Sequence, residues 1–378
     1  MMGKKILITA TELHMLQFWT YHIKRLIEDG NEVELVCSNV GGKLEQLKRR
    51  LDEIGCPSLT VVDLKRNPLN PHNALGYLQL RKYFKQNSYD VVITNEPVMG
   101  IMTRLAARTI RKKGTRVIYF AHGFHFWQGA PKLNWLIFYP IEKFVAHFTD
   151  IIVTMNSEDY ELAKNKLKAN EIKYTYGIGT DLSKFYYDAD LRISKRQELG
   201  IKNETVIFTV SELSDRKNLN LALDIIKRLS DDGYNIKYFV RGVGPLEQDY
   251  KKYAKSIGIE SKVLFLGYGK DIAELDNAAD VFLFTSKQEG LPVSVMEAMS
   301  CQTPCVVSDI RGVNDLIENG RGGYICKLGD VNSFAESIKK IIENPDLKTE
   351  LTQGNFTKLE PYKIENVYTF LDSLVNEV

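Results

Sequence analysis

Short runs of apolar residues recur along the whole chain, and segments with apolar residues three and four positions apart separate them. The runs most typical of strands are 4–10, 32–38, 90–95, 116–121, 150–154, 205–211, 236–242, 262–269, 280–286 and 304–309. They are mostly continuous rather than alternating, which is the pattern of strands that are covered on both faces. With a helix between successive strands, this pattern predicts an α/β fold with parallel sheets.

The chain has 378 residues, more than a single hydrophobic core usually organises. The alternation of strands and helices fades across residues 177–204 and then resumes. We therefore predict two Rossmann-like, doubly wound domains that face each other across a cleft, an N-terminal one at 1–185 and a C-terminal one at 186–360. The last residues, 361–378, are predicted to form a helix that could return to the first domain.

The two halves of the chain differ in charge, with 26 Lys and Arg against 18 Asp and Glu up to residue 185 and 24 against 30 beyond it. A basic first half favours an anionic partner. We expect a membrane surface rather than nucleic acid, because no nucleic-acid recognition module occurs. No apolar run is long enough to cross a bilayer, the start lacks the pattern of a signal peptide, and the cysteines are irregularly spaced. These features predict a cytoplasmic protein that is peripheral on the inner face of the cytoplasmic membrane.

Residues 286–300, SKQEGLPVSVMEAMS, place Glu289 before a Gly-Leu-Pro break and Glu297 beyond it. A helix that begins near Pro292 would present unpaired backbone N–H groups between the two carboxylates, and such a helix start can bind phosphate. A nucleoside diphosphate could then place its phosphates on the N–H groups, its ribose on Glu297 and a hexose on Glu289. The donor-binding residues predicted in this stretch are Gly290, Leu291, Pro292, Val293 and Glu297. The alternative is a capping box with Ser294 as N-cap, which would make Glu297 structural and would not use Glu289.

The stretch EGLPVSVME matches the E-x7-E signature of family 4 glycosyltransferases, which are retaining enzymes of the GT-B fold. The similarity to that family covers most of the chain, because further motifs follow in order: GIGTDLSKF (177–185), DRKN (215–218), GVGP (242–245), FLGY (265–268) and SDIRGVNDLIENGRGGYI (308–325). The segment YFAHGFHFWQGAPKLNWLIFYPIEK (119–143) resembles a branch that builds bacterial exopolysaccharide and capsule repeat units.

The resemblance implies roles for several charged residues. Lys217 would neutralise the departing diphosphate, with Arg216 as a second cation, and fixed cations lower the barrier to such a departure. His122 would face the donor sugar and is, with Glu289 and Lys217, a predicted catalytic residue. The other residues of the predicted donor site are Gly244 and Tyr268.

The chain also departs from the family pattern. Glu212 stands where many relatives carry an arginine, and the loop at 9–18 lacks the glycine pair with which many relatives approach the phosphates. Close backbone approach by that loop is therefore not expected. His14 on this loop is predicted to contact the acceptor. His125, a neighbour of His122, is also assigned to the acceptor.

Residues 101–116 contain six basic residues. Arg104 and Arg108 recur there at helical spacing, so this face either docks on anionic lipid or is an ordinary solvated helix face. The aromatic segment 124–144 could grip a lipid-linked acceptor or belong to the core. An Asp-x-Asp pair at 188 and 190 lies in the connecting stretch, and no other cluster has metal-ligand spacing. No metal or other cofactor is expected.

These features together predict a retaining glycosyltransferase. It would move a sugar, expected to be an N-acetylhexosamine, from a UDP-sugar to a polyprenyl-diphosphate-linked saccharide in exopolysaccharide or capsule biosynthesis. One alternative is a UDP-sugar epimerase of the same architecture, which would need no acceptor. The other is a non-catalytic scaffold subunit of a polysaccharide assembly complex.

Overall fold

The computed structural model describes residues 3–42, 44–56 and 58–377, and they form two compact units. Unit 1 contains the chain up to Gly179 and again from Ile364 onward, and unit 2 is Thr180–Lys363. The chain therefore leaves unit 1 at Gly179 rather than at residue 185, and returns to it at Ile364 rather than at 361. Within the described residues, no helix is both long enough and apolar enough to span a bilayer.

Unit 1 contains a seven-stranded sheet in the order β3-β2-β1-β4-β5-β6-β7, with neighbouring strands parallel. The strands are β1 (Lys5–Glu12), β2 (Glu32–Val40), β3 (Leu59–Val61), β4 (Val91–Asn95), β5 (Arg116–Ala121), β6 (Ile151–Thr154) and β7 (Glu171–Tyr174). The helices before unit 2 are α1 (Leu13–Phe18), α2 (Thr20–Glu28), α3 (Leu44–Glu53), α4 (Asn73–Gln86), α5 (Pro97–Ala106), α6 (Arg108–Arg111), α7 (Lys132–Val145) and α8 (Ser157–Lys166). A 3₁₀ turn follows α7 at Ala146–Phe148.

Unit 2 repeats this plan with the strand order β10-β9-β8-β11-β12-β14-β13. Its strands are β8 (Thr205–Val210), β9 (Ile236–Arg241), β10 (Val263–Phe265), β11 (Val281–Phe284), β12 (Cys305–Ser308), β13 (Glu318–Asn319) and β14 (Gly322–Cys326). Its helices are α9 (Ala189–Glu198), α10 (Leu219–Asp231), α11 (Glu247–Ser256), α12 (Ile272–Ala278), α13 (Val293–Ser300), α14 (Val331–Glu343), α15 (Pro345–Thr352) and α16 (Asn355–Leu359). Short 3₁₀ turns lie at Asp215–Lys217, Glu260–Lys262 and Glu360–Tyr362.

The continuous apolar runs are explained by the two faces of each sheet. In β1, Ile6 and Ile8 pack in one buried cluster while Leu7, between them, packs in the cluster on the other face. Val92 of β4 likewise faces the second cluster. Because both faces are covered by helices, most positions of such a strand are apolar.

The last helix, α17 (Ile364–Asn376), belongs to unit 1. Four of its side chains, Tyr368, Leu371, Leu374 and Val375, are buried in the same cluster as the strands of the first sheet. The helix therefore completes the core of a unit whose other residues all come before Thr180.

Candidate active site

The loops that follow β8 and β11 are joined at the carboxyl edge of the second sheet, where parallel sheets bind their ligands. Lys217 ends the 3₁₀ turn after β8. The hydroxyl of Thr285, directly after β11, donates to the carbonyl oxygens of Lys217 and Asn218 at 3.3 and 3.2 Å. The backbone N–H of Lys287 donates to the carbonyl of Arg216 at 2.9 Å. The two predicted cations therefore stand on a turn that is fixed to the Glu289 loop.

Glu289 forms ion pairs with both of these cations. Its Oε1 lies 2.7 Å from Nζ of Lys217, and its Oε2 lies 2.8 Å from Nη1 of Arg216. The side chains of Glu289 and Lys217 are largely buried, whereas that of Arg216 is exposed. Charge-assisted contacts of this kind are strong in a partly buried setting. The structure thus brings together three residues that the sequence predicted as catalytic or donor-binding.

Two residues outside the predicted site support this loop. Arg311, after β12, donates from Nε to the backbone carbonyl of Glu289 at 3.2 Å. Gly312 has a φ of 74°, and a Cβ added to it would lie 2.1 Å from the carbonyl oxygen of Gly290. Only glycine therefore allows this approach of the two backbones. The quoted motif at 308–325 contained both residues, but nothing in the sequence showed that they contact Glu289 and Gly290.

Helix α13 begins at Val293, with Pro292 as its N-cap. Ser294 lies inside the helix, and no side chain caps this end among the described residues, so the capping-box alternative for Ser294 and Glu297 is wrong. The first N–H groups of a helix lack intrahelical partners, and they carry partial positive charge. This end of α13 can therefore accept an anion. The helix begins where the sequence predicted it, near Pro292.

Glu297 lies one turn inside α13 and is partly buried. Burial raises the pKa of its carboxyl to about 7. Asp276 on α12 is fully buried, and within the described part of the chain neither of its carboxylate oxygens has a hydrogen-bond partner. Burial, together with the charge of Glu297, raises the pKa of Asp276 well above its ordinary value. Asp276 was not predicted, because nothing in the sequence around it marks this aspartate as buried.

The other two predicted donor residues lie on loops at the same sheet edge. A Cβ on Gly244 would lie 2.4 Å from the carbonyl oxygen of Leu213, so this glycine lets the loop after β9 pack on the loop after β8. Tyr268, after β10, is 76% exposed. Its ring is accessible for stacking on a planar ligand. Donor contacts for Gly244 and Tyr268 remain predictions.

His122 follows β5 at the corresponding edge of the first sheet. Its Nε2 lies 2.8 Å from Oδ1 of Asn95, and Nδ2 of Asn95 donates to the carbonyl of Thr9 at 3.2 Å. Because Oδ1 of Asn95 accepts, Nε2 of His122 carries the proton and Nδ1 is left as an acceptor. Burial lowers the pKa of His122 to about 4, so the imidazole is neutral at pH 7.

A cavity of about 130 Å³ opens beside this edge of the first sheet. It is lined by the predicted acceptor residue His125 and by Glu96, which directly follows β4 and was not predicted. His14 is exposed on α1, with its ring 4.8 Å from that of Phe18, and is not among the residues that line the cavity. The sequence signal for Glu96 is its position directly after a strand, because ligands of parallel sheets bind at the carboxyl ends of strands.

The predicted membrane or acceptor role of Arg104 is wrong. Arg104 is fully buried, pairs with Glu142 through Nη1 at 2.5 Å, and lies 3.9 Å from the ring centroid of Tyr119. A buried guanidinium needs such partners. The ion pair joins α5 to α7 within unit 1. Arg108 is exposed and lies 4.4 Å from the ring centroid of Phe148.

The aromatic segment is divided between core and surface. The ring of Phe126 lies 5.5 Å from those of both Trp135 and Tyr139 within one buried cluster.

Asp188 of the Asp-x-Asp pair accepts from the N–H groups of Asp190 and Leu191 and so caps α9. In the described part of the chain, no three His, Cys, Asp or Glu residues are grouped so that they could hold a metal ion.

Comparison with known proteins identifies the family. The profile described as Glycosyltransferase Family 4 matches residues 17–176, and the profile described as Glycosyl transferases group 1 matches residues 191–357. A Bacillus subtilis (strain 168) protein named glycosyltransferase EpsD is 33% identical over 356 residues, which cover 93% of this chain and 91% of that protein. The chain is a family 4 glycosyltransferase.

Further relatives of this family 4 glycosyltransferase extend over nearly the whole chain. The Escherichia coli UDP-Gal:alpha-D-GlcNAc-diphosphoundecaprenol alpha-1,3-galactosyltransferase is 27% identical, over 92% of this chain and 90% of the relative. Among solved structures, Anabaena Alr3699/HepE in complex with UDP and glucose has a TM-score of 0.79 at 18% identity, with both chains fully covered. That likeness shows the fold, and the predicted GT-B class is confirmed.

Proposed function

We propose that this glycosyltransferase moves a sugar from a UDP-sugar to a polyprenyl-diphosphate-linked saccharide at the inner face of the cytoplasmic membrane. The observation that carries the donor half of this proposal is the contact of Lys217 and Arg216 with Glu289 beside the start of α13. The acceptor half is supported by the E. coli relative, which is named for a diphosphoundecaprenol-linked acceptor. A place in exopolysaccharide or capsule biosynthesis is supported by the similarity to a Staphylococcus aureus protein that is named as a capsular polysaccharide biosynthesis glycosyltransferase.

In this proposal the diphosphate of the donor binds the N–H groups at the start of α13. Lys217 and Arg216 then leave Glu289 and neutralise the phosphate oxygens, while Glu297 accepts hydrogen bonds from the ribose hydroxyls. Glu289, released from the cations, turns to the hydroxyls of the donor sugar. Fixed charges of this kind stabilise the negative charge that develops on a departing diphosphate.

The transfer breaks the bond between the anomeric carbon and the β-phosphate oxygen, and UDP leaves with the electron pair. The acceptor hydroxyl forms the new bond on the same face, so the configuration is retained. Its proton passes to the departing phosphate oxygen. His122 is neutral at pH 7 because burial lowers its pKa, so its Nδ1 can accept a hydrogen bond from a sugar hydroxyl. No metal is required in this scheme.

The membrane contact is proposed to use α7. Leu133, Leu136 and Phe144 on this helix are 62%, 73% and 57% exposed, and their spacing places them along one helical stripe. Lys132 and Lys143 on the same helix are also exposed. An apolar stripe with flanking lysines suits the surface of an anionic membrane, to which each basic residue adds roughly 1 kcal/mol.

A cosedimentation experiment tests this surface. The protein should bind vesicles that contain phosphatidylglycerol more strongly than vesicles of phosphatidylcholine alone. Leu136→Asp should weaken that binding about tenfold, because a carboxylate would enter the apolar stripe. The matched change Leu69→Asp, at another exposed leucine, should have little effect. Equal loss in both variants would contradict the assignment of the surface to α7.

The proposed reaction is tested by incubating the protein with bacterial lipid extract and each of UDP-Gal, UDP-GlcNAc, UDP-GalNAc and UDP-Glc. We expect UDP release that depends on the extract, with one N-acetylhexosamine donor preferred, and a lipid product whose mass increases by that sugar. Formation of an isomeric UDP-sugar without extract would instead favour the epimerase. A protein that binds no UDP in calorimetry would favour the scaffold.

A further inference from the structure

Glu96 has a backbone conformation that residues with a side chain rarely adopt. Its φ is 62° and its ψ is 156°, in a region that only glycine enters without strain. It stands between the end of β4 and Pro97, the first residue of α5. Backbone strain of this kind persists only where surrounding contacts hold it, and it is concentrated at binding and catalytic sites.

Within the described residues, the hydrogen bonds that hold the Glu96 side chain use one of its carboxylate oxygens. Oε2 accepts from the backbone N–H of Thr11 at 2.7 Å and from that of Glu12 at 3.0 Å. These bonds join the end of β1 to the turn after β4. The other oxygen, Oε1, takes no part in either bond, and Glu96 lines the cavity described above.

The cavity has the composition of a site for a sugar ring. Besides Glu96 and His125, its lining includes the ring of Phe138, which lies 4.7 Å from that of His125. Arg66 and Glu12 at the rim form an ion pair, with 2.9 Å between Nε and Oε1. A carboxylate accepts hydrogen bonds from hydroxyl groups, and an aromatic ring packs on the apolar face of a pyranose. The volume is below the roughly 300–1,000 Å³ of sites that enclose a ligand, so it suits one edge of a sugar.

We propose that this cavity binds the terminal pyranose of the acceptor, and that Oε1 of Glu96 accepts a hydrogen bond from one of its hydroxyls. This inference rests on the proposed function, because it needs a saccharide acceptor. The cavity belongs to unit 1, whereas the residues assigned to the diphosphate belong to unit 2. Glu96 would therefore act on the affinity for acceptor and not on the affinity for UDP.

The protonation state of Glu96 gives the proposal a pH dependence. Burial raises the pKa of its carboxyl to about 7, and the charge of Glu12 acts in the same direction, while the two backbone N–H groups and Arg66 act against it. The other titratable groups that face it are His125 in the cavity and the buried Tyr119. Below pH 7 the carboxyl becomes protonated and is a weaker acceptor, so acceptor affinity should fall as the pH is lowered.

Glu96→Gln is the decisive variant. The amide oxygen of glutamine can accept from both Thr11 and Glu12 as Oε2 does, so the two loops stay joined, while an NH₂ group replaces Oε1. With lipid extract as acceptor at pH 8, we expect the half-saturating amount of extract to rise at least tenfold. The dissociation constant for UDP, measured by calorimetry, should be unchanged. Glu45→Gln, an exposed glutamate on α3, is the matched control and should behave as the wild type.

The pH dependence of the half-saturating amount of extract distinguishes a binding role of Glu96 from a merely structural one. Between pH 8 and pH 6 the half-saturating amount of extract should rise for the wild type and for His125→Gln, and stay level for Glu96→Gln. Wild-type saturation in Glu96→Gln, or a parallel loss of UDP binding, would overturn the inference and leave the proposed function standing. A wild-type protein that releases no UDP with any donor would overturn both.

Discussion

Glu289 contacts the two cations that the donor diphosphate is proposed to use. Lys217→Ala removes one of these cations, so UDP affinity should fall about tenfold and turnover at least about a hundredfold. Glu289→Gln should lower turnover by a similar factor but tighten UDP binding, because a neutral amide no longer competes for Lys217 and Arg216. Calorimetry with UDP and the UDP-release assay measure the two quantities.

The matched control for these variants is Lys287→Ala. Lys287 lies two residues before Glu289 and pairs with Asp215 at 2.8 Å rather than with Glu289. It should retain UDP affinity and turnover within about twofold, as exposed ion pairs contribute little. Wild-type turnover in Lys217→Ala or Glu289→Gln would remove that residue from the mechanism.

Glu297 should release a proton when UDP binds. Its pKa is raised to about 7 by burial, so at pH 6.5 the carboxyl is largely protonated in the free protein. Ribose hydroxyls that donate to the carboxylate would stabilise the charged form and lower the pKa. Calorimetry at pH 6.5 in buffers of different ionisation enthalpy should show fewer protons released by Glu297→Gln than by the wild type. Equal release in both proteins would contradict the contact with the ribose.

Lys348 on α15 is a partly buried lysine whose charged form is destabilised by its surroundings. It lies near Arg192, Arg196 and Asp280, and within the described part of the chain it forms no ion pair. Burial, and after it the charges of Arg192 and Arg196, lower its pKa from 10.5 to about 8, while the charge of Asp280 acts in the opposite direction. The charged lysine is therefore less stable in the folded protein than in the unfolded chain.

Lys348→Met should consequently stabilise unit 2 at pH 7, by about 1–3 kcal/mol of unfolding free energy. Because the folded pKa is lowered, the unfolded chain binds more protons between pH 8 and 10.5, and wild-type stability should rise with pH over that range. The advantage of the variant should shrink over the same range. Urea denaturation at pH 7 and pH 9.5 measures this, with the exposed Lys252→Met as control. A destabilised Lys348→Met would contradict the pKa shift.

The strands that the sequence predicted best are those with a continuous apolar run, because such a run indicates burial on both faces of the sheet. Each of the ten apolar runs overlaps a strand, whereas β3, β7, β13 and β14 were not predicted. β3 is only three residues long, and β7 begins Glu-Ile-Lys and is partly exposed. These strands are set by pairing with a neighbour rather than by their own apolar pattern, and that pairing is visible only in the folded chain.

Side-chain environments were harder to predict than elements. Arg104 and Arg108 are one helical turn apart and look alike in the sequence. In the structure Arg104 is buried against Glu142, whereas Arg108 is exposed. The difference depends on α7, which is distant in sequence and packs on α5. The ion pairs of Glu289 likewise need two loops that are separated by more than seventy residues, so the sequence indicated the residues and not their contact.

The return of α17 to unit 1 makes that unit depend on the far end of the chain. Leu374 is fully buried in its core, so Leu374→Ala should destabilise unit 1 by about 2–5 kcal/mol. Hydrogen exchange should show faster exchange in β1, β4 and β5 and unchanged exchange in the strands of unit 2. Thr369→Ala, on the exposed side of the same helix, should change neither. Equal acceleration in both units would show that they unfold as one.

A crystal structure of the protein with UDP is the decisive test of the proposed donor site. We expect the diphosphate oxygens within hydrogen-bond distance of the backbone N–H groups of Val293 and Ser294. We also expect that Nζ of Lys217 has moved from Glu289 to a phosphate oxygen, and that the ribose hydroxyls lie against Glu297. UDP bound away from the start of α13, or bound there with the Lys217–Glu289 pair intact, would contradict this donor site.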